Sequence, residues 1–192
     1  MKVKQIFTAY DHSRDNGCEQ MNCCPVCGNR LQHGLRGGIE RPFCGACSFV
    51  MYKNPYPAVS VLITENHSVL LGKRAVGSFA EGKWCLPCGY IEYNEDFLTA
   101  AAREVQEETG LEVKLDAIIS VNSNFLSEKI HSLVVVLLAH AAGGKIQPGD
   151  DISELGWFAP ESLPEMAFEA DAHIIERYFG GGMTGLAVDS NF

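Results

Sequence analysis

The sequence predicts an α/β fold, a mixed β-sheet lying between helices, preceded by a small cysteine-rich module. Three observations predict it. Short β-branched and apolar runs bounded by turn residues recur between residues 58 and 140. Two segments, 97–109 and 167–179, carry apolar residues at helical spacing. Two C-x-x-C pairs stand close together ahead of both.

Taken in order, residues 1–21 read as a polar tail, with Lys2, Lys4 and Gln5 among few apolar residues. Residues 22–54 hold Cys24-Pro25-Val26-Cys27 and, after a gap of sixteen residues, Cys44-Gly45-Ala46-Cys47. Two such knuckles match a zinc ribbon, with four thiolates around one tetrahedral ion. Four protein ligands leave no open coordination position, so this zinc is structural. Disulfides are the rival reading and need an oxidising compartment. The first residues lack the apolar core of a secretory signal, so the expectation is cytoplasmic zinc. Cys18 and Cys23 lie outside the knuckles, Cys23 being a second-choice ligand.

Asn54-Pro55-Tyr56-Pro57 is a stiff connector into a main domain over residues 55–180. There Ala58 to Thr64 and Val69 to Arg74 form a hairpin around Glu65-Asn66-His67, and Val113 to Asn122 and Ile130 to His140 supply longer strands. The Val134 to Ala139 run has the character of a buried strand. The final helix, 167–179, spaces Phe168, Ala172, Ile175 and Phe179 along one side, and Gly180-Gly181-Gly182 opens a loose tail over 181–192. Repeats and low-complexity segments are absent from the sequence.

The first helix carries the chemistry. Asp96 is placed as its N-cap and Gly110 as its left-handed stop. With Glu104 taken as zero, Glu107 falls near −60° and Glu108 near +40°, so three carboxylates share a narrow arc at about 100° per residue. Leu98, Ala101, Ala102, Val105 and Thr109 form an adjoining core-facing stripe. Like charges at this spacing cost a helix about 0.2–0.5 kcal/mol per pair. A divalent cation converts that repulsion into attraction, and hard oxygen ligands suit magnesium or manganese. The competing reading is a solvated acidic face with Arg103 paired to Glu107.

Gly89, then Glu95, then Arg103-Glu104-Val105-Gln106-Glu107-Glu108-Thr109-Gly110-Leu111 resembles the complete Nudix box, with every fixed position filled. The resemblance runs from about Pro57 to Phe179 and weakens beyond the box. It implies an α/β/α sandwich and hydrolysis of a nucleoside diphosphate joined to another group, using divalent metal held by the helix glutamates. It makes Glu104, Glu107 and Glu108 metal ligands, with Glu104 or Glu107 also a candidate base for the attacking water. It makes the Cys88 backbone carbonyl a further ligand, and Arg103 with Glu95 the ion pair that holds loop against helix. Glu154, three residues before Trp157-Phe158, resembles a family position that often contacts metal or water; the ordinary reading of Asp150, Asp151 and Glu154 is a polar loop. Two departures stand out: Cys88 replaces the usual Gly or Ala, and Asn94 replaces a frequent Gly, a substitution that Asn tolerates at positive φ.

A zinc ribbon ahead of the box resembles two groups. One is the NADH pyrophosphatases, which also remove NAD caps from RNA; its Ser-Gln-Pro-Trp signature is missing, the chain reading Ser120-Val121-Asn122-Ser123-Asn124. The other is the ADP-ribose and FAD pyrophosphatases, matched by Leu86-Pro87-Cys88-Gly89-Tyr90 and by Glu154-Leu155-Gly156-Trp157-Phe158. This second group is favoured, with a dinucleotide or nucleotide-sugar as substrate. Arg74 is a candidate phosphate contact and Phe79, Trp84 and Tyr90 are candidate stacking partners, against ordinary readings as surface and core residues. Cys85 and Cys88 form a third C-x-x-C, read as small buried residues in preference to a redox pair.

Composition bounds the rest. The chain has 192 residues, 46% hydrophobic, with no apolar run long enough to span a membrane. A formal charge of −9 disfavours broad contact with nucleic-acid phosphates. A regulator that keeps the fold to sense a ligand predicts a damaged box and a basic appendage, and the box is intact. The ribbon offers a surface for pairing, so a homodimer is open.

Overall fold

A computed structural model describes residues 4–11 and 21–188. Most of the expected N-terminal tail, Cys18 included, and the last four residues lie outside the described range. The chain divides into two compact units: residues 10–55, and the remainder.

The first strand, β1 (Ile6–Thr8), belongs to the larger unit, and the smaller unit is an antiparallel hairpin in which β2 (Gln32–Arg36) pairs with β3 (Ile39–Phe43). The two knuckles repeat one geometry. The N–H of Gly28 donates to the Cys24 carbonyl at 2.9 Å, and that of Ser48 to the Cys44 carbonyl at 3.1 Å. Gly28 (φ 73°) and Ser48 (φ 61°) both take the left-handed conformation that turns the chain just past the second thiol of each pair. Cys24, Leu31 and Cys44, with Met21 and Phe49 against them, make a core too small to order so many residues without help.

The larger unit has the sheet order β1-β8-β9-β4-β5-β10. Its strands are β1 (Ile6–Thr8), β4 (Tyr56–Glu65), β5 (Ser68–Arg74), β6 (Trp84–Cys85), β7 (Cys88–Tyr90), β8 (Leu111–Ser127), β9 (Ile130–Gly144), β10 (Ile152–Phe158) and β11 (Leu186–Ala187). β4 runs parallel to β9, whereas β8–β9, β4–β5 and β5–β10 are antiparallel, so the sheet is mixed as expected. Asn66 (φ 47°) and His67 (φ 62°) form the two-residue turn of the β4–β5 hairpin, matching the strands' right-handed twist. Along β4, Ala58 and Leu62 enter one core with Ile174 and Ile175 of α2 (Glu169–Phe179). Val59, Val61 and Ile63 enter another with Ala100, Ala101 and Val105 of α1 (Phe97–Thr109). That alternation with period two puts one helix on each face, which is the α/β/α sandwich.

The structure extends several elements. β8 and β9 stay paired well past the predicted ends, through register shifts such as Glu112/Val113 and Phe125/Ser127. Polar Asn122, Asn124 and Ser132 in those strands obscure the apolar pattern that marks a strand. Ile6–Thr8, within the segment read as a tail, lies parallel to β8, and Leu186–Ala187 pairs with the same strand. Strands of three and two residues are too short to display a period. α2 begins at Glu169 because Phe168 is extended (φ −124°, ψ 128°) and its ring stacks on Phe79. Asn94 is absent from the positive-φ residues, so the turn before Glu95 does not need a glycine there.

Candidate active site

α1 is held at both ends. The Asp96 carboxylate accepts from the N–H of Leu98 at 2.8 Å and of Thr99 at 3.0 Å, and Gly110 (φ 71°) closes the other end. Between the caps, Ala100, Ala101, Val105 and Thr109 pack inward and carry Glu104 and Glu108 to the buried edge of the helix.

Arg103 ties this helix to the preceding loop. Its guanidinium donates to Glu95 at 2.6 and 3.0 Å, to Glu104 at 2.8 Å, to Glu107 at 2.9 Å and to the Tyr90 carbonyl at 3.1 Å. One cation therefore gathers three acids and fixes the loop that bears Gly89. The competing surface reading anticipated the Arg103–Glu107 pair, but not that Arg103 serves Glu95, Glu104 and the Tyr90 carbonyl as well.

The two inner glutamates occupy environments that a carboxylate avoids without a counter-charge. Glu108 is 1% exposed, and burial pushes its pKa up to about 10, against the N–H of Cys88, which donates to it at 2.9 Å. Burial also raises the Glu104 pKa, opposed by Arg103. Gly89 is required by close approach: a Cβ there would meet Glu104 Oε1 at 2.0 Å. Glu107 is half-exposed and points to Arg103.

Glu104 and Glu108 line a cavity of about 310 Å³. Asp150, Asp151, Arg74 and Asp171 complete its charged end, and Ala58, Ser60, Val134, Ser132 and Asn124 belong to its sheet wall. Arg74 pairs with Asp151 and donates from Nε to the Phe79 carbonyl at 2.7 Å, which aims a cation into the same space as the acids. Phe79 and Tyr90 also line it, as does Cys88.

Among the candidate ligands and substrate contacts, three lie outside the lining: Glu107, Trp84 and Glu154. Trp84 is edge-on to Phe158 at 4.7 Å within the α2-side core and does not line the cavity. Glu154 is exposed, pairs with Lys73 at 3.3 Å and is outside the lining, whereas its loop neighbours Asp150 and Asp151 are in it. Asp171 was missed: it is buried on α2, accepts the Leu86 N–H at 3.0 Å and has its pKa pushed up to about 7 by burial. Its one sequence signal is an acid on the apolar side of a helix.

In the smaller unit the sulfurs of Cys24, Cys27, Cys44 and Cys47 all lie within 4.8 Å of one another, an arrangement that can hold a metal ion. Cys24–Cys47 and Cys27–Cys44 sulfurs are 3.5 Å apart, too far for disulfides. Asn29 Nδ2 donates to the Cys27 sulfur at 3.4 Å, which favours the thiolate that binds metal. Cys23 is outside the group, and Cys85 is buried against the Gly72 carbonyl.

Fold and cavity together define an α/β/α sandwich with a carboxylate-lined site. Residues 54–178 match the NUDIX domain, and the chain belongs to that family. An ADP-ribose pyrophosphatase of Methanocaldococcus jannaschii is 33% identical over 129 residues, covering 67% of this chain and 75% of the relative. A NAD-capped RNA hydrolase NudC of Vibrio atlanticus is 28% identical over 154 residues, covering 78% of this chain; the chain spans 53% of that relative. Among solved structures, a NUDIX hydrolase from Nitrosomonas europaea superposes with a TM-score of 0.73 at 28% identity, over 83% of this chain and 91% of that one.

Proposed function

We propose that this protein hydrolyses the diphosphate bridge of a nucleoside diphosphate linked to a second group, with ADP-ribose or FAD favoured, and releases a nucleoside monophosphate. The observation that carries the reading is the pair of nearly buried carboxylates, Glu104 and Glu108, facing the Arg74 guanidinium across one cavity. The likeness to an ADP-ribose pyrophosphatase supports the choice of substrate.

Glu104 and Glu108, with the Cys88 carbonyl and Glu107 at the rim, would hold magnesium or manganese. Two buried carboxylates held close to ionised and neutral neighbours fit a hard dication, which offsets the burial that now opposes their charge. When bound, such an ion polarises a phosphoryl oxygen and makes water a better nucleophile at neutral pH. The protein's own contribution is positional. Arg103 keeps Glu104 on Gly89, Asp151 orients Arg74, and Arg74 offsets diphosphate charge. Water attacks one phosphorus, the bridging P–O bond breaks, and two monophosphates leave. In the smaller unit, Cys24, Cys27, Cys44 and Cys47 would hold zinc as a structural ion.

A second reading, hydrolysis of NADH or of a NAD cap on RNA, is favoured by relatives whose similarity spans more of this chain, 78% for the Vibrio atlanticus protein. Product analysis after incubation with ADP-ribose, FAD, NADH and NAD-capped RNA, each with magnesium and with EDTA, separates the two. Fastest release of AMP from ADP-ribose or FAD supports the first. Preference for the capped RNA or NADH replaces it with the second, and no magnesium-dependent turnover refutes both.

A further inference from the structure

The cavity's other end is built for something besides the diphosphate. Asn124 on β8 lies opposite Ser132 on β9; they are 7% and 6% exposed, and both line the cavity. The side-chain oxygen of Asn124 is buried with no hydrogen-bond partner, as is the Ser60 hydroxyl. A sheet that buries an amide normally pairs it. Here Asn124 is left open at a cavity wall, which is where a ligand would complete it.

The register gives the spacing. Ser60 pairs with Cys88, beside Glu108, and with Val136 on β9. Ser132 is four residues along β9 from Val136, about 13 Å at the strand rise. That separation leaves room for a sugar and a ring between the glutamates and the amide. Leu126, Ile130 and Phe168 line the same cavity and offer apolar surface to a planar group.

We infer that Asn124, beside Ser132, reads an amide-like edge on the substrate, an NH2 donor next to an acceptor, and so selects which ring the cleaved diphosphate carries. A primary amide offers donor and acceptor side by side, the complement of such an edge. Two sources present it: the amino edge of adenine and the carboxamide of nicotinamide. This inference rests on the proposed diphosphate hydrolysis.

The test uses the full chain with magnesium. Initial rates are compared for ADP-ribose against its hypoxanthine counterpart, in which oxygen replaces the amino group. They are likewise compared for NAD against nicotinic acid adenine dinucleotide, in which a carboxylate replaces the carboxamide. The wild type is expected to lose about tenfold or more in kcat/KM on one counterpart, mainly through KM, and that pair identifies the ring. Asn124→Leu, similar in size and apolar, is expected to bring that ratio to about unity with the melting temperature retained; Asn124→Ala serves if the leucine variant does not fold. Equal treatment of both pairs by the wild type, or a ratio preserved in the folded variant, overturns the role of Asn124. If the wild type hydrolyses none of the four and leaves FAD intact as well, the proposed reaction fails and this inference with it; hydrolysis without preference overturns only this inference.

Discussion

Glu108 shows how a single residue can be read for function. A carboxylate with 1% exposure and its pKa pushed up to about 10 is poorly suited to its site unless a cation arrives. Glu108→Gln keeps an acceptor for the Cys88 N–H and removes the charge. Turnover on the preferred substrate is expected to fall on the order of 100-fold or more, with little loss in melting temperature. Gly89→Ala makes a different prediction. The atom it meets is the end of the Glu104 side chain, so the carboxylate is displaced while the backbone stays. Activity is expected to fall steeply, and the thermal midpoint much less; a large drop in midpoint with activity per folded molecule intact would contradict this.

At the scale of elements, both helices were legible for physical reasons. Asp96 and Gly110 bracket an apolar stripe, and the structure places caps at those positions. The acidic arc was also legible, because helical geometry decides which residues share a face. What escaped were contributions from other elements. Asp150, Asp151, Asn124 and Asp171 reach the cavity from a loop, two strands' worth of pairing away, and from α2; no local period predicts that convergence. Trp84 was read as a stacking partner because aromatics look alike in sequence, and the core claimed it.

Asp171 also yields a pH prediction. Burial raises its folded-state pKa to about 7, above the ordinary carboxylate value, so the folded state holds a proton that the unfolded chain has released. Its contribution is therefore fully favourable at acid pH and is lost as pH rises through about 7. Glu108 adds a slope of the same sign over a window reaching about 10. Asp171→Asn, which preserves an acceptor for the Leu86 N–H, is expected to flatten the fall in stability between acid and neutral pH. Denaturant melts of both proteins across that range check it; identical slopes would place the titration elsewhere.

At the scale of the whole molecule, the division into two units has its own consequence. The larger unit owns two apolar cores, while the smaller relies on a few residues around its sulfurs. Cys24→Ser, or strong chelation, is expected to unfold the β2–β3 hairpin and its two knuckles while leaving the larger sheet and its cavity folded, as read by zinc content and by amide spectra. One equivalent of zinc is expected in the wild type. The four-cysteine cluster was legible because knuckle spacing is a local code, whereas the exact extent of β8 and β9 depends on partners distant in sequence.

The most direct measurement is magnesium-dependent release of AMP from ADP-ribose, followed side by side for the wild type, Glu104→Gln and Glu108→Gln. The account predicts turnover by the wild type, its loss on chelation, and a collapse in both folded variants. Undiminished turnover in folded Glu108→Gln, or turnover by the wild type that ignores chelation, would contradict it.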